Sequence, residues 1–179
     1  MVEIVYFVHG TTTDNLEKKS TGWLPGVLSE KGVEQSKNLH ELIKNEHFDI
    51  VFCSDLQRAI DSANINFARM GVEIIQDSRI RECNYGDLDG KDSSLVKYGE
   101  HVTEKFPNGE ALVDVEKRMR DFVDFLKKNY DGKRVAMVCH RAPQLALDVI
   151  TNGMTWSQAL ENDWRLTHSW QPGWKYEIR

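Results

Sequence analysis

Cysteine is scarce in this chain, long hydrophobic runs are missing, and there is no surplus of positive charge. The 179 residues hold three cysteines, Cys53, Cys83 and Cys139, with no C-x-x-C spacing. An odd, scattered set supports neither a disulfide framework nor a zinc ribbon. Cys53 and Cys139 fall inside apolar runs, where a thiol behaves as a small buried hydrophobe, so a reducing compartment is expected. No apolar stretch is long enough to cross a bilayer. No signal pattern precedes the first apolar run, which begins almost at Met1, so a cytoplasmic location is expected. The net charge of -5 argues against nucleic acid or an anionic membrane as partner, without excluding a locally positive pocket. Repeats, linkers and low-complexity segments are also lacking.

Short apolar runs alternate with helical periodicity. Ile4-Val5-Tyr6-Phe7-Val8-His9 and Arg134-Val135-Ala136-Met137-Val138-Cys139-His140 read as strands buried on both faces. Further strands are expected at 49–53, 72–75 and 174–178. Ser29 is a candidate N-cap for a helix to about Asn45, with Val33, Ser36, Leu39, Leu42 and Ile43 facing inward. Ser54-Asp55-Leu56-Gln57 has the form of a capping box, so a helix is expected directly after the second strand. Val115, Met119, Phe122, Val123 and Leu126 recur at helical spacing, and another helix carries Pro143 near its start. This order predicts one α/β domain over 1–179: three layers, a mostly parallel central sheet and helices on both faces. Segment 77–110, irregular and glycine-containing, is expected to cover the sheet edge.

Two of the apolar runs end on a histidine, where open α/β sheets bind ligands. Either histidine alone is more often structural than catalytic. Together they suggest one crevice, and a third strand ends beside them at Ser54, one helical turn before Arg58. A helix N-terminus and a guanidinium both suit an anion. Glu82, by pattern alone, reads as a surface charge paired with Arg79 or Arg81. Trp23 and Tyr85 are candidates to line a pocket, whereas Trp156, Trp164, Trp170 and Trp174 read as packing for the tail.

These residues resemble the histidine phosphatase, or phosphoglycerate mutase-like, superfamily. The resemblance runs through Val8-His9-Gly10-Thr11-Thr12, Asn15, Thr21-Gly22-Trp23, Leu28-Ser29-Glu30-Lys31-Gly32, Ser54-Asp55-Leu56-Gln57-Arg58-Ala59, Glu82-Cys83-Asn84-Tyr85-Gly86, Asn108-Gly109-Glu110, Arg118 and His140. It implies a phosphoglycerate mutase-like fold and a phosphomonoester hydrolase acting on a small phosphorylated metabolite. His9 attacks phosphorus to give a phosphohistidine. Arg58, His140, Asn15 and backbone N–H groups hold the phosphoryl oxygens. Glu82 protonates the leaving oxygen, for which burial or nearby phosphate is expected to raise its pKa. Thr21, Gly22 and Tyr85 match substrate-contacting positions. The resemblance implies no cofactor and no metal.

Two departures matter. Val8 stands where the family places an arginine, and losing such a donor commonly costs about a hundredfold in rate. Arg141 stands where the family has glycine, so Arg141 either reaches the phosphate from the neighbouring strand or pairs with an acid. Between Arg81 and Arg118 there is no arginine, only lysines and His101 among the basic residues, which favours hydrolysis over mutase transfer. Three alternatives stay open: a mutase, a non-catalytic phospholigand-binding relative, and a metal centre built from His9, His140 and Glu82.

Overall fold

The computed structural model describes residues 1–167 and 173–179. Strands β1 (Val2–Val8), β2 (Ile50–Cys53), β3 (Ile74–Gln76), β4 (Arg134–Cys139) and β5 (Trp174–Ile178) form one sheet in the order β3-β2-β4-β1-β5. All neighbours are parallel except β5, which runs antiparallel along β1. The expected mostly parallel α/β architecture is present.

Helices α1 (Thr13–Leu16), α2 (Glu30–Ile43), α3 (Gln57–Asn66), α4 (Leu112–Asn129), α5 (Arg141–Asn152) and α6 (Trp156–Glu161) complete the fold. Strand alternation sorts the core into two layers. Ile4, Tyr6, Ile50, Phe52, Val135 and Met137 pack with α4, α5 and α6. Val5, Phe7, Val51, Ala136 and Val138 pack with Leu39 and Ile43 of α2 and Ala63 of α3. Both faces of the central strands are thus dry, which is why their sequences are apolar without alternation. Among the described residues, no helix is long and apolar enough to cross a membrane.

Three local expectations need correction. The helix after β2 begins at Gln57 with Leu56 at its N-cap and no side-chain capping bond, so Ser54 is not the cap. Leu42 is 61% exposed, because Ser36, Leu39 and Ile43 already occupy the buried stripe of α2. Between β1 and α2, where the sequence predicts no element, Thr12 and Asn15 form a reciprocal capping box around α1. Trp170 lies outside the described residues.

The chain passes very close to itself where β1 meets α2. A Cβ on Gly10 would stand 2.4 Å from the Gly32 carbonyl oxygen, so this crossing admits no side chain. The contact fixes the residue after His9.

Candidate active site

Sheet register alone brings the two histidines together. Val8 pairs with Cys139 across β1 and β4, so His9 and His140 leave adjacent strands side by side. The His9 N–H donates to the Cys139 carbonyl at 3.1 Å, and the two rings lie 5.1 Å apart, tilted by 56°. Both follow residues that face α4 and α5, so both turn to the opposite face, toward α3.

Arg58, in the first turn of α3, is almost wholly buried there. Its Nε donates to His9 Nε2 at 3.3 Å. Its Nη1 donates to the Leu24 and Pro25 carbonyls and its Nη2 to the Gly22 carbonyl at 2.8 Å. Gly22 holds φ +52°, and a Cβ there would strike the Asp89 carboxylate. His9 Nδ1 donates to the Gly10 carbonyl at 2.7 Å. With Nδ1 giving the proton and Nε2 receiving one, the neutral ring presents its lone pair at Nε2. Burial first, then the Arg58 charge, pushes the His9 pKa down from 6.5 to about 3. His9 is therefore uncharged near neutral pH.

His140 is fully buried. Burial, then Arg58 and His9, holds its pKa well below the ordinary value. Its Nε2 lies 2.5 Å from Ser54 Oγ, and its Nδ1 has no hydrogen-bond partner among the described residues. The Tyr6 hydroxyl donates to the His140 carbonyl at 2.6 Å and accepts the His140 N–H at 3.1 Å. Tyr6 and Ser54 thus fix this histidine from backbone and ring. Neither role was legible locally: Tyr6 reads as core, and the partner of Ser54 lies 86 residues away.

Glu82 does not pair with Arg79 or Arg81, which hold Asp77 and Asp55 instead. Its carboxyl lies at the start of α5 and meets only donors. Oε1 accepts from Cys83 N at 2.9 Å, Ala142 N at 3.0 Å and the Tyr98 hydroxyl at 3.3 Å. Oε2 accepts from Arg141 N at 3.1 Å. The Glu82 carbonyl takes Trp23 Nε1 at 2.7 Å and Arg118 Nη2 at 2.8 Å. Arg118 also binds the carbonyls of Arg79 and Arg81 and a bidentate Glu110, so these two residues hold the Glu82 loop rather than a ligand.

His9, Glu82 and Arg58 line one cleft of about 960 Å³ with Asn15, Thr21, Gly22, Tyr85 and Arg141. Asn15 spends its Oδ1 on Thr12 N, and Thr21 Oγ1 donates to Asp14. The Tyr85 hydroxyl is 2.6 Å from that of Tyr98. Val8 lines the cleft as well, beside Trp164 and Trp174, which are therefore not packing alone. Arg141 places Nε on Asp163 at 2.7 Å and its guanidinium over Tyr98, while still facing the cleft. Arg165, which sequence reasoning missed, shares Asp163 and the same wall. Its only sequence signal was an acid two residues away. The alternative metal centre is not assembled: among the described residues, no three His, Cys, Asp or Glu side chains converge to hold a metal ion.

A buried imidazole pair facing a guanidinium at a parallel-sheet edge defines an anion-receiving α/β site. The sequence model of the histidine phosphatase superfamily (branch 1) matches residues 5–172. A 2,3-bisphosphoglycerate-dependent phosphoglycerate mutase of Allorhizobium ampelinum is 30% identical over 174 residues, spanning 88% of this chain and 82% of that one. This chain belongs to the histidine phosphatase superfamily. It is also similar to phosphoserine phosphatase 1 of Hydrogenobacter thermophilus, at 28% identity over 158 residues, spanning 82% of this chain and 74% of that one. Among solved structures, a mycobacterial glucosyl-3-phosphoglycerate phosphatase superposes with TM-score 0.79 at 26% identity, spanning 88% of this chain and 85% of that one.

Proposed function

We propose that the protein is a phosphomonoester hydrolase working through a phosphohistidine on His9, with a small phosphorylated metabolite as substrate. The observation that carries this reading is the fixed tautomer of His9: Nδ1–H on the Gly10 carbonyl and an unprotonated Nε2 accepting from Arg58 Nε. The Nε2 lone pair forms the N–P bond as the ester P–O bond breaks. Glu82 gives its proton to the departing oxygen. In the second half, Glu82 takes a proton from water as the water oxygen attacks phosphorus, and the N–P electrons return to Nε2.

The four donors around the Glu82 carboxyl fix its position at the start of α5, on the lining of the cleft. Ser54 takes the amide of Leu56 at 3.4 Å and gives its own proton to His140 Nε2. The ring proton of His140 then sits on Nδ1, ready for a phosphoryl oxygen. Arg58 holds His9 in place and supplies positive charge to the same oxygens.

A mutase reading is favoured by relatives of that name. Against it, segment 77–110 holds no arginine beyond Arg81 and so supplies no guanidinium fork from that part of the chain. A screen of phosphomonoesters with His9→Ala as control tests the proposal. Turnover by the native protein and none by the variant is expected. Equal turnover by the two, or phosphoglycerate interconversion outpacing hydrolysis, overturns it.

A further inference from the structure

We infer that Arg141 and Arg165, clamped by Asp163, form a second anion subsite, so that the preferred substrates carry a further carboxylate or phosphate a few atoms from the phosphoester. The inference rests on the phosphatase reading for the first anion and concerns other residues lining the same cleft.

Asp163 has a fully buried side chain set between two guanidiniums. Its Oδ2 accepts from Arg141 Nε at 2.7 Å, and its Oδ1 accepts from Arg165 Nη1 at 3.0 Å and Arg165 N at 3.1 Å. One carboxylate faces two cations, so this wall keeps a net positive charge. Each guanidinium also lies on an aromatic face: Arg141 over Tyr98 at 4.3 Å, Arg165 over Trp164 at 4.5 Å. Both are therefore held in place before any ligand arrives, which lowers the entropy cost of binding.

The clamp uses only part of each fork. Arg141 Nη1 and Nη2, and Arg165 Nε and Nη2, have no hydrogen-bond partner among the described residues. Pre-positioned guanidinium donors without a protein acceptor match a carboxylate or phosphate edge. Arg58 differs, because its Nη groups are committed to three backbone carbonyls. The cleft, at about 960 Å³, has room for more than one phosphoryl group, and Glu82 is the lone acid among the residues lining it. His9, Arg141 and Arg165 line the same cleft, so the second anion is received in the space that also holds the nucleophile.

The test is calorimetric titration with non-hydrolysable phosphonates, which does not depend on turnover. Phosphonopropionate and propylene bisphosphonate supply the second anion as carboxylate and as phosphonate, and propylphosphonate lacks it. At least one of the first two should bind the native protein about tenfold tighter than propylphosphonate, a charge-assisted contact of ordinary size. Arg141→Gln, Arg165→Gln and Asp163→Asn should each cut that advantage to about threefold or less while leaving propylphosphonate binding within about twofold. Arg165→Lys should retain part of it. Thermal melts check that each variant is folded.

No advantage for either dianionic probe in the native protein overturns the inference. So does an advantage that persists in the folded Arg141→Gln/Arg165→Gln double variant, or an equal loss for all three probes. The His9→Ala variant separates the two claims: it should lose turnover yet keep the advantage.

Discussion

The neutral state of His9 has a consequence for stability that can be measured without knowing the substrate. In the unfolded chain His9 takes a proton near its ordinary pKa of 6.5; in the folded protein it does so only near about 3. Between those values the unfolded state binds more protons, so stability rises with pH. The contribution is fully present above about 6.5 and is lost as pH falls toward 3. The whole depression corresponds to roughly 4–5 kcal/mol. His9 lines an open cleft, and residual solvation there reduces the figure to about 2–3 kcal/mol.

His9→Asn removes this titration and keeps an amide that can donate to the Gly10 carbonyl. Urea unfolding of both proteins at about pH 7 and about pH 4 gives the comparison. Paired carboxylates titrate alike in both, so the difference reports His9 together with its coupling to His140. The native protein should lose about 2–3 kcal/mol more than the variant on acidification. Parallel losses would refute the claim that the fold holds this imidazole neutral.

Other consequences follow from single contacts. Ser54→Ala leaves both ring nitrogens of the buried His140 without a partner among the described residues; stability should drop by about 1–3 kcal/mol in urea unfolding. Its kcat should fall about ten- to a hundredfold with a smaller change in KM, and Ser54→Thr should recover part of it. Gly10→Ala forces a Cβ against the Gly32 carbonyl, so a loss of about 1–3 kcal/mol or failure to fold is expected. Arg118→Ala strips the Glu82 loop of three carbonyl bonds and leaves Glu110 unpaired. It should cost about 3 kcal/mol and lower kcat, read by melting and steady-state rates.

The strands were legible because a parallel sheet covered on both faces needs continuous apolar runs, and β1 and β4 supply them. Strand ends then predicted the histidine pair, and register explains why: Val8 opposite Cys139 leaves His9 beside His140. What escaped was every contact whose partner is distant in sequence. Ser54 has the local form of a helix cap, yet its hydroxyl belongs to His140. Tyr6 looks like one more core residue, yet its hydroxyl brackets the His140 backbone. Glu82 looks like a partner for flanking arginines, yet those arginines take Asp55 and Asp77. Asp163 and Arg165 lie at the start of a tail read for its tryptophans and for a strand at 174–178.

The most direct test of the central claim is to trap the intermediate. The protein is mixed with a turned-over phosphomonoester labelled on phosphorus, quenched in alkali within milliseconds and mapped by peptide mass spectrometry. The account predicts one acid-labile, alkali-stable phosphoryl group on the peptide bearing His9, absent in His9→Ala. Turnover with no protein-bound phosphate, or label on His140 instead, would contradict it.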